Sequence, residues 1–295
     1  LVIIEAPSNL GLMQLTVDRE PGVRKLPDWL RMHSFHAQIH PDKVIRVEPP
    51  PYSMDLDEEA GVRNADKIIL FSKELSQELQ NNIELNLFSL VIGGDCSILI
   101  GCGLGLKSLG QYGLIFIDGH TDFILPHNSF TKGAAGMDLA IVNGKGHEKL
   151  TNIEGKQPYF KEQNVFVLGN RYFNEDFVKP IRKSAIHYFD LIEIRKKGLE
   201  LIVDEFLGLV KKSGLDGFWI HFDVDVLNND IMPAVDSPQE DGLNYGELKE
   251  LLKPLLHSPM AVGMDITILD PDLDHDGSYT KDFVKNMVSI ITGRG

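Results

Sequence analysis

Cysteine is scarce: Cys96 and Cys102 are the two in 295 residues, too few for a disulfide framework. The expected compartment is therefore the cytoplasm, where thiols stay reduced. Runs of basic residues are missing as well, and the formal net charge is −14 at pH 7. Nucleic acid and anionic membrane are excluded as expected partners, because both demand basic patches. No apolar stretch approaches the ~18 residues that span a bilayer. The opening Leu1-Val2-Ile3-Ile4-Glu5 lacks a basic leader and a small-residue cleavage site, and reads as a first strand instead of a signal peptide. No Pro-, Gly- or Ser-rich linker interrupts the composition, so residues 1–295 are read as one domain.

What is present is a recurrence of short apolar, β-branched runs. They cover Leu1 to Glu5, Lys43 to Val47, Leu90 to Gly93, Gly113 to Asp118, Val165 to Gly169, Ile186 to Phe189, Gly217 to Asp223 and Ala261 to Ile268, eight candidate strands in all. Stretches such as Asn64 to Leu79, Gly198 to Lys212 and Tyr245 to Leu256 lie between them, with apolar residues returning every three to four positions. Alternating strand and helix predicts a mostly parallel sheet. A closed barrel and an open doubly wound sheet both fit eight such units, and in both the ligands gather at the carboxyl ends of the strands.

Acidic residues cluster at those ends. Asp118-Gly119-His120-Thr121-Asp122 follows one strand, and in an extended continuation Asp118, His120 and Asp122 point the same way. His221, Asp223 and Asp225 share one parity at the end of another. Four carboxylates in a partly buried cleft repel one another unless a cation sits among them, and a divalent metal is the usual solution. The loops that follow, Phe123 to Gly136 and Asn228 to Leu243, are long and aperiodic, as loops that touch substrate often are.

Four motifs at strand ends come in one order: Gly93-Gly94-Asp95-Cys96-Ser97, Asp118 to Asp122, Asp223-Val224-Asp225, and Met264-Asp265-Ile266-Thr267-Ile268-Leu269-Asp270-Pro271. This series resembles the ureohydrolase family of arginase, agmatinase and formiminoglutamase, over about Val91 to Asp272. The resemblance implies a three-layer α/β/α sandwich with an eight-stranded, mostly parallel sheet, and decides against the barrel. It also implies two manganese ions sharing an activated hydroxide that attacks a guanidino or imino carbon. Carried over by motif position, Asp118 and Asp223 would bridge the ions, His120 and Asp225 would bind one, and Asp122 the other. These five residues are the implied catalytic centre, and oxygen-rich ligands suit manganese or magnesium better than zinc.

Three departures from the family pattern stand out. Cys96 replaces the histidine of Gly-Gly-Asp-His-Ser: as a thiolate it is a soft ligand that leaves one manganese weakly held or calls for a softer ion such as zinc, and otherwise it is a packed core residue. Ala135 occupies the position of a proton-transfer histidine, for which His127 is a nearby substitute. Ile268 stands where relatives carry a guanidinium-pairing glutamate. Asp270 either supplies that charge or makes ordinary turn contacts. His221 is read as a hydrogen-bond partner of a metal carboxylate or as a buried, satisfied histidine, and Asp265 as a supporting carboxylate. Asn228-Asn229 and Gly169-Asn170-Arg171-Tyr172 also depart from the family pattern, which implies a different reading of the substrate's far end.

Cys96, together with Gly136-Met137-Asp138-Leu139-Ala140, resembles the branch acting on N-hydroxyarginine. The expectation is a metal-dependent amidine hydrolase with a small-molecule substrate. Homo-oligomer formation is left open. Two alternatives stand beside it: a non-catalytic relative holding one metal, and a one-metal deacylase resembling the histone deacetylases, with Asp118, His120 and Asp223 around zinc.

Overall fold

The computed structural model describes residues 1–17 and 19–293. In chain order its strands are β1 (Val2–Ala6), β2 (Lys43–Arg46), β3 (Leu56–Asp57), β4 (Val62–Arg63), β5 (Ser89–Gly93), β6 (Tyr112–Ile117), β7 (Val165–Leu168), β8 (His187–Phe189), β9 (Gly217–Asp223) and β10 (Ala261–Thr267). Eight form a single open sheet of order β2-β1-β5-β10-β9-β6-β7-β8, with every pairing parallel. These are the eight strands anticipated from the apolar runs. The hairpin β3-β4 escapes that reading, because two-residue strands carry no periodicity.

Strands β1, β5, β6, β7 and β9 are buried at every position, which is why they read as continuous apolar runs instead of alternating ones. Alternate residues feed two cores. Leu114, Phe116 and Trp219 pack on one face, where the helices Ala65–Glu84 and Ile98–Leu109 supply Ile68, Phe71, Leu75 and Leu99. Ile115, Ile117, Ile220 and Phe222 pack on the other, against Ile202, Phe206, Leu248, Leu252 and Phe283 of the helices Leu199–Lys212, Tyr245–His257 and Ser278–Ile291. The result is the three-layer sandwich. Among the described residues no helix is long and apolar enough to cross a membrane.

Register places the chemistry. His221 of β9 pairs with Asp265 of β10 on one side and Phe116 of β6 on the other, and two residues on Thr267 pairs with Asp223. The chain passes from β5 across β10 and β9 to reach β6, so the loops after β5 and β6 flank the two strands between. Side chains from four strand ends therefore meet at one edge, as open α/β sheets require of a binding crevice.

Glu5 is the charged exception in β1, and it shows how the sheet edge tolerates charge. It pairs in register with Arg46 and lies against Arg31 and His36. Burial pushes its carboxyl up, but the hydrogen bonds from His36, Arg31 and Arg46 outweigh it and hold the group at about 2. A folded value below the unfolded one means stability that is present above the unfolded value and lost as pH falls toward the folded one. Glu5→Gln should cost about 2 kcal/mol at neutral pH, after discounting for the half-exposed Arg31, and should flatten the acid limb below about pH 4.5. Urea unfolding across that range checks it, and parallel acid limbs for the two proteins would refute it.

Candidate metal centre

The loop after β5 is built on two contacts. A Cβ at Gly94 would sit 1.7 Å from the Ser8 carbonyl oxygen, so only glycine fits there. Asp95 then accepts hydrogen bonds from Ser8 Oγ (3.0 Å) and the Gly11 amide (3.1 Å) through one oxygen and from the Ser97 amide (2.8 Å) through the other. This ties the segment around Ser8 to the start of the helix Ile98–Leu109 and aims Cys96 across the sheet edge. Its Sγ donates to Asp223 Oδ2 at 2.9 Å and lies 3.1 Å from Thr267 Oγ1.

The strand parity expected for Asp118, His120 and Asp122 ends at Ile117, and turns replace it. Asp118 Oδ1 accepts from the His120 amide at 2.6 Å, Asp223 Oδ1 from the Asp225 amide at 2.7 Å, and Asp225 Oδ1 from the Gly119 amide at 3.0 Å. The first two, to amides two residues on, are what Asp does in turns, whereas the third ties the loop after β9 to the loop after β6. Asp122 adopts a left-handed backbone, φ 42°. Convergence survives by this different route. His120 Nδ1 lies 2.9 Å from Asp225 Oδ2 and 3.5 Å from Asp118 Oδ1, and ligand atoms of Asp118, His120 and Asp225 all fall within 4.8 Å of one another. Cys96, His120, Asp122, Asp223 and Asp225 line one cavity.

The electrostatics are those of a centre built for a cation. Burial, then the Asp225 charge, raises the carboxyl of Asp118. Burial and the Asp118 charge raise Asp122, and burial with Asp225 and Asp118 raises Asp223. Asp225 goes the other way: burial acts upward, but His120 outweighs it and keeps the group low. Desolvation acts downward on His120, and its two carboxylate neighbours override it to hold the imidazole strongly basic. Asp118 Oδ2 is buried with no hydrogen-bond partner among the described residues. An oxygen-rich set with one imidazole and an orphaned carboxylate oxygen fits a hard divalent cation, with Asp118, His120 and Asp225 as its holders and Asp223 and Asp122 beside them.

The remaining candidates are placed as follows. His221 is fully buried, stacks on Phe116, and bonds Asp265 Oδ1 at 2.6 Å through Nδ1, not a carboxylate of the metal group, because the register sets it opposite Asp265. His127 is exposed and is not among the residues lining the cavity, although its neighbours Asn128 to Thr131 line the adjoining recess. Asp270 commits both carboxylate oxygens to backbone amides, of Gly22 (3.1 Å) and Asp272 (2.8 Å), capping the turn Pro271–Leu273. Arg171 is a clamp: its Nη2 donates to the carbonyls of Asp225 (2.7 Å) and Leu227 (3.3 Å), and its Nε to that of Glu240 (3.2 Å).

Three residues outside the sequence-derived set join the site. Asp236 lines the cavity beside Ile268, because Val235 bridges Leu269; its side chain is open to solvent on one side, while desolvation by the cleft wall and the nearby Asp225 and Asp270 charges push its carboxyl up to about 6. The Gln239 amide nitrogen lies 2.8 Å from His120 Nε2. Asp138 is fully buried, a single carboxylate in the apolar run Met137 to Val142, and that contrast was the available signal for it. Asp236 and Gln239 carried none, being polar residues in a polar loop.

A model of the arginase family matches residues 1–292. An arginase of Bacillus subtilis is 31% identical to this chain, over 98% of it and 96% of the relative. An arginase of Staphylococcus aureus is 29% identical, over 99% of this chain and 96% of its own. The crystal structure of the Bacillus subtilis arginase superposes with a TM-score of 0.85 at 26% identity, covering 99% of this chain and 97% of that one.

If the cluster holds a divalent cation, manganese at about a hundredfold excess over its dissociation constant should stabilise the protein by about 2.7 kcal/mol. Asp118→Asn and Asp225→Asn should lose most of that gain. Thermal unfolding with and without the ion measures both, and equal shifts in all three proteins would place the binding elsewhere.

Proposed function

The chain belongs to the arginase family, and from that premise we propose that it hydrolyses the C–N bond of a guanidino-type small molecule at two divalent cations, manganese first among them, with an N-hydroxyguanidine such as N-hydroxyarginine preferred to arginine. One observation carries this reading. The cavity sets the donors His120, Asp122, Asp223 and Asp225 against a wall in which Ala135 and Ile268 stand where the resemblance implies a histidine and a glutamate.

The bound cations would supply a water acidic enough to be nucleophilic near neutral pH. The chain's own groups do the positioning. Asp118, His120 and Asp225 would hold one ion, and without it Asp225 Oδ2 fixes the imidazole of His120. Asp223 and Asp118 are assigned as the shared carboxylates and Asp122 as a ligand of the second ion. Arg171 ties the segment at Asp225 to that at Glu240, which keeps the cavity wall in register with its floor.

Substrate charge follows from the wall. A guanidinium that enters beside Ile268 loses hydration, at a cost of several kcal/mol unless a carboxylate meets it. Asp236 lies next to Ile268 and is the side chain placed to do so, whereas Asp270 is consumed by its turn. A carboxyl at about 6 is mostly ionised at neutral pH. Ala135 offers no proton to a departing amine, and a less basic hydroxyguanidine depends less on both the carboxylate and the proton donor.

Specificity constants for arginine, agmatine and N-hydroxyarginine, scored for urea and hydroxyurea, test the proposal. N-hydroxyarginine should lead arginine by about tenfold or more, which corresponds to about 1.4 kcal/mol. Asp236→Asn should raise KM for arginine by about tenfold and leave N-hydroxyarginine less affected. Efficient arginine turnover that Asp236→Asn does not diminish would overturn the assignment of the pocket, and no product from any guanidino compound would favour a non-catalytic relative.

A further inference from the structure

Beneath the centre lies a second group of ligand atoms. Cys96 Sγ, a carboxylate oxygen of Asp138 and a ring nitrogen of His221 fall within 4.8 Å of one another, and all three residues are buried. They come from separate places: the loop after β5, the start of the short helix Asp138–Val142, and the middle of β9.

The hydrogen-bond network dictates which atoms face the gap. Trp219 Nε1 can only donate, and it donates to Asp265 Oδ2, so Asp265 is an acceptor. Its other oxygen lies 2.6 Å from His221 Nδ1 and takes the proton on that nitrogen. This assigns the tautomer from its partners and leaves Nε2 as a bare lone pair. That atom points at Asp138 Oδ2 across 3.8 Å, too far for a hydrogen bond, and neither atom has a partner among the described residues. Two buried atoms without a hydrogen-bond partner among the described residues thus face each other across the gap, with a thiol at the third corner.

A carboxylate that orients a histidine, whose other nitrogen is aimed at a shared point, is the arrangement that supports metal ligands. The donors here are one sulfur, one imidazole nitrogen and one carboxylate oxygen, a softer set than Asp118, His120 and Asp225. We propose that Cys96, Asp138 and His221 bind a further divalent cation of borderline softness, of the zinc or cobalt class, distinct from the two positions assigned to Asp118, His120 and Asp225 and to Asp122, and joined to them through Asp223. Asp223 Oδ2 is the joining atom, 2.9 Å from Cys96 Sγ. Binding converts the Cys96 thiol to thiolate and releases its proton to solvent. With metal–nitrogen and metal–sulfur bonds of about 2.0 and 2.3 Å, the three ligands must close in by about 1 Å from the metal-free arrangement. The proposal concerns this chain's metal binding and stands whether or not it acts on a guanidino compound.

Titration of the metal-free protein with cobalt(II) reads the site directly, because a thiolate ligand gives a sulfur-to-metal charge-transfer band in the near ultraviolet. The band should appear at one equivalent, vanish in Cys96→Ser, and require at least tenfold more cobalt in His221→Asn and Asp138→Asn. It should persist in His120→Asn and Asp225→Asn. No band in the unmodified protein overturns the proposal. So does a band that survives His221→Asn and Asp138→Asn but is lost in Asp122→Asn, which would assign the thiolate to the Asp122 side. Should the buried variants fail to fold, X-ray absorption on the zinc-loaded unmodified protein decides: one sulfur and at least one imidazole in the zinc shell support the site, and a shell without sulfur refutes it.

Discussion

Repulsion among carboxylates at the carboxyl edge of the sheet is the constraint on which the rest of this structure depends. Asp118, Asp138, Asp223 and Asp225 are buried, Asp122 stands beside them, and His120 and Arg171 are the basic groups set against them. Two like charges about 4 Å apart cost about 4 kcal/mol each pair at an effective dielectric of 20. Burial and mutual charge raise the carboxyls of Asp118, Asp122, Asp138 and Asp223. Asp225 alone among them stays low, and it is the one that His120 meets.

Holding such a cluster together demands rigidity around it. The two apolar cores anchor the strands from both faces, and the polar residues appear only where the strands end. Backbone contacts finish the task. Asp95 locks the loop after β5 to the segment at Ser8, and Arg171 bridges four carbonyls of the loop after β9. Neither touches the proposed ions, yet each decides where a ligand-bearing turn sits.

Cys96 does not stand alone in the fold. Cys96, His221 and Asp138 lie on three segments far apart in sequence, and the fold brings their polar atoms to one point. Trp219 and Asp265 stand behind them in the same buried row. A cysteine in place of a histidine reads, in sequence, as the loss of a ligand. In the folded chain it is one corner of a group that also holds Asp138 and His221.

Sequence by itself determined the eight strands and the buried character of the central ones, since parallel strands covered on both faces are mostly apolar, and the ordered motifs determined the family and hence the open sheet. It also named Asp118, His120 and Asp225, because short-range spacing after a strand survives whether the chain continues extended or turns. Tertiary structure alone decided the partners of His221, the turn-capping role of Asp270 and the exposure of His127, for these depend on register and on loops whose paths no period encodes. Asp236 became a wall of the cavity only when Val235 bridged Leu269, and Asp138 became a neighbour of His221 only when a loop folded back over β9. Local chemistry is written residue by residue, whereas contacts between distant segments are set by packing.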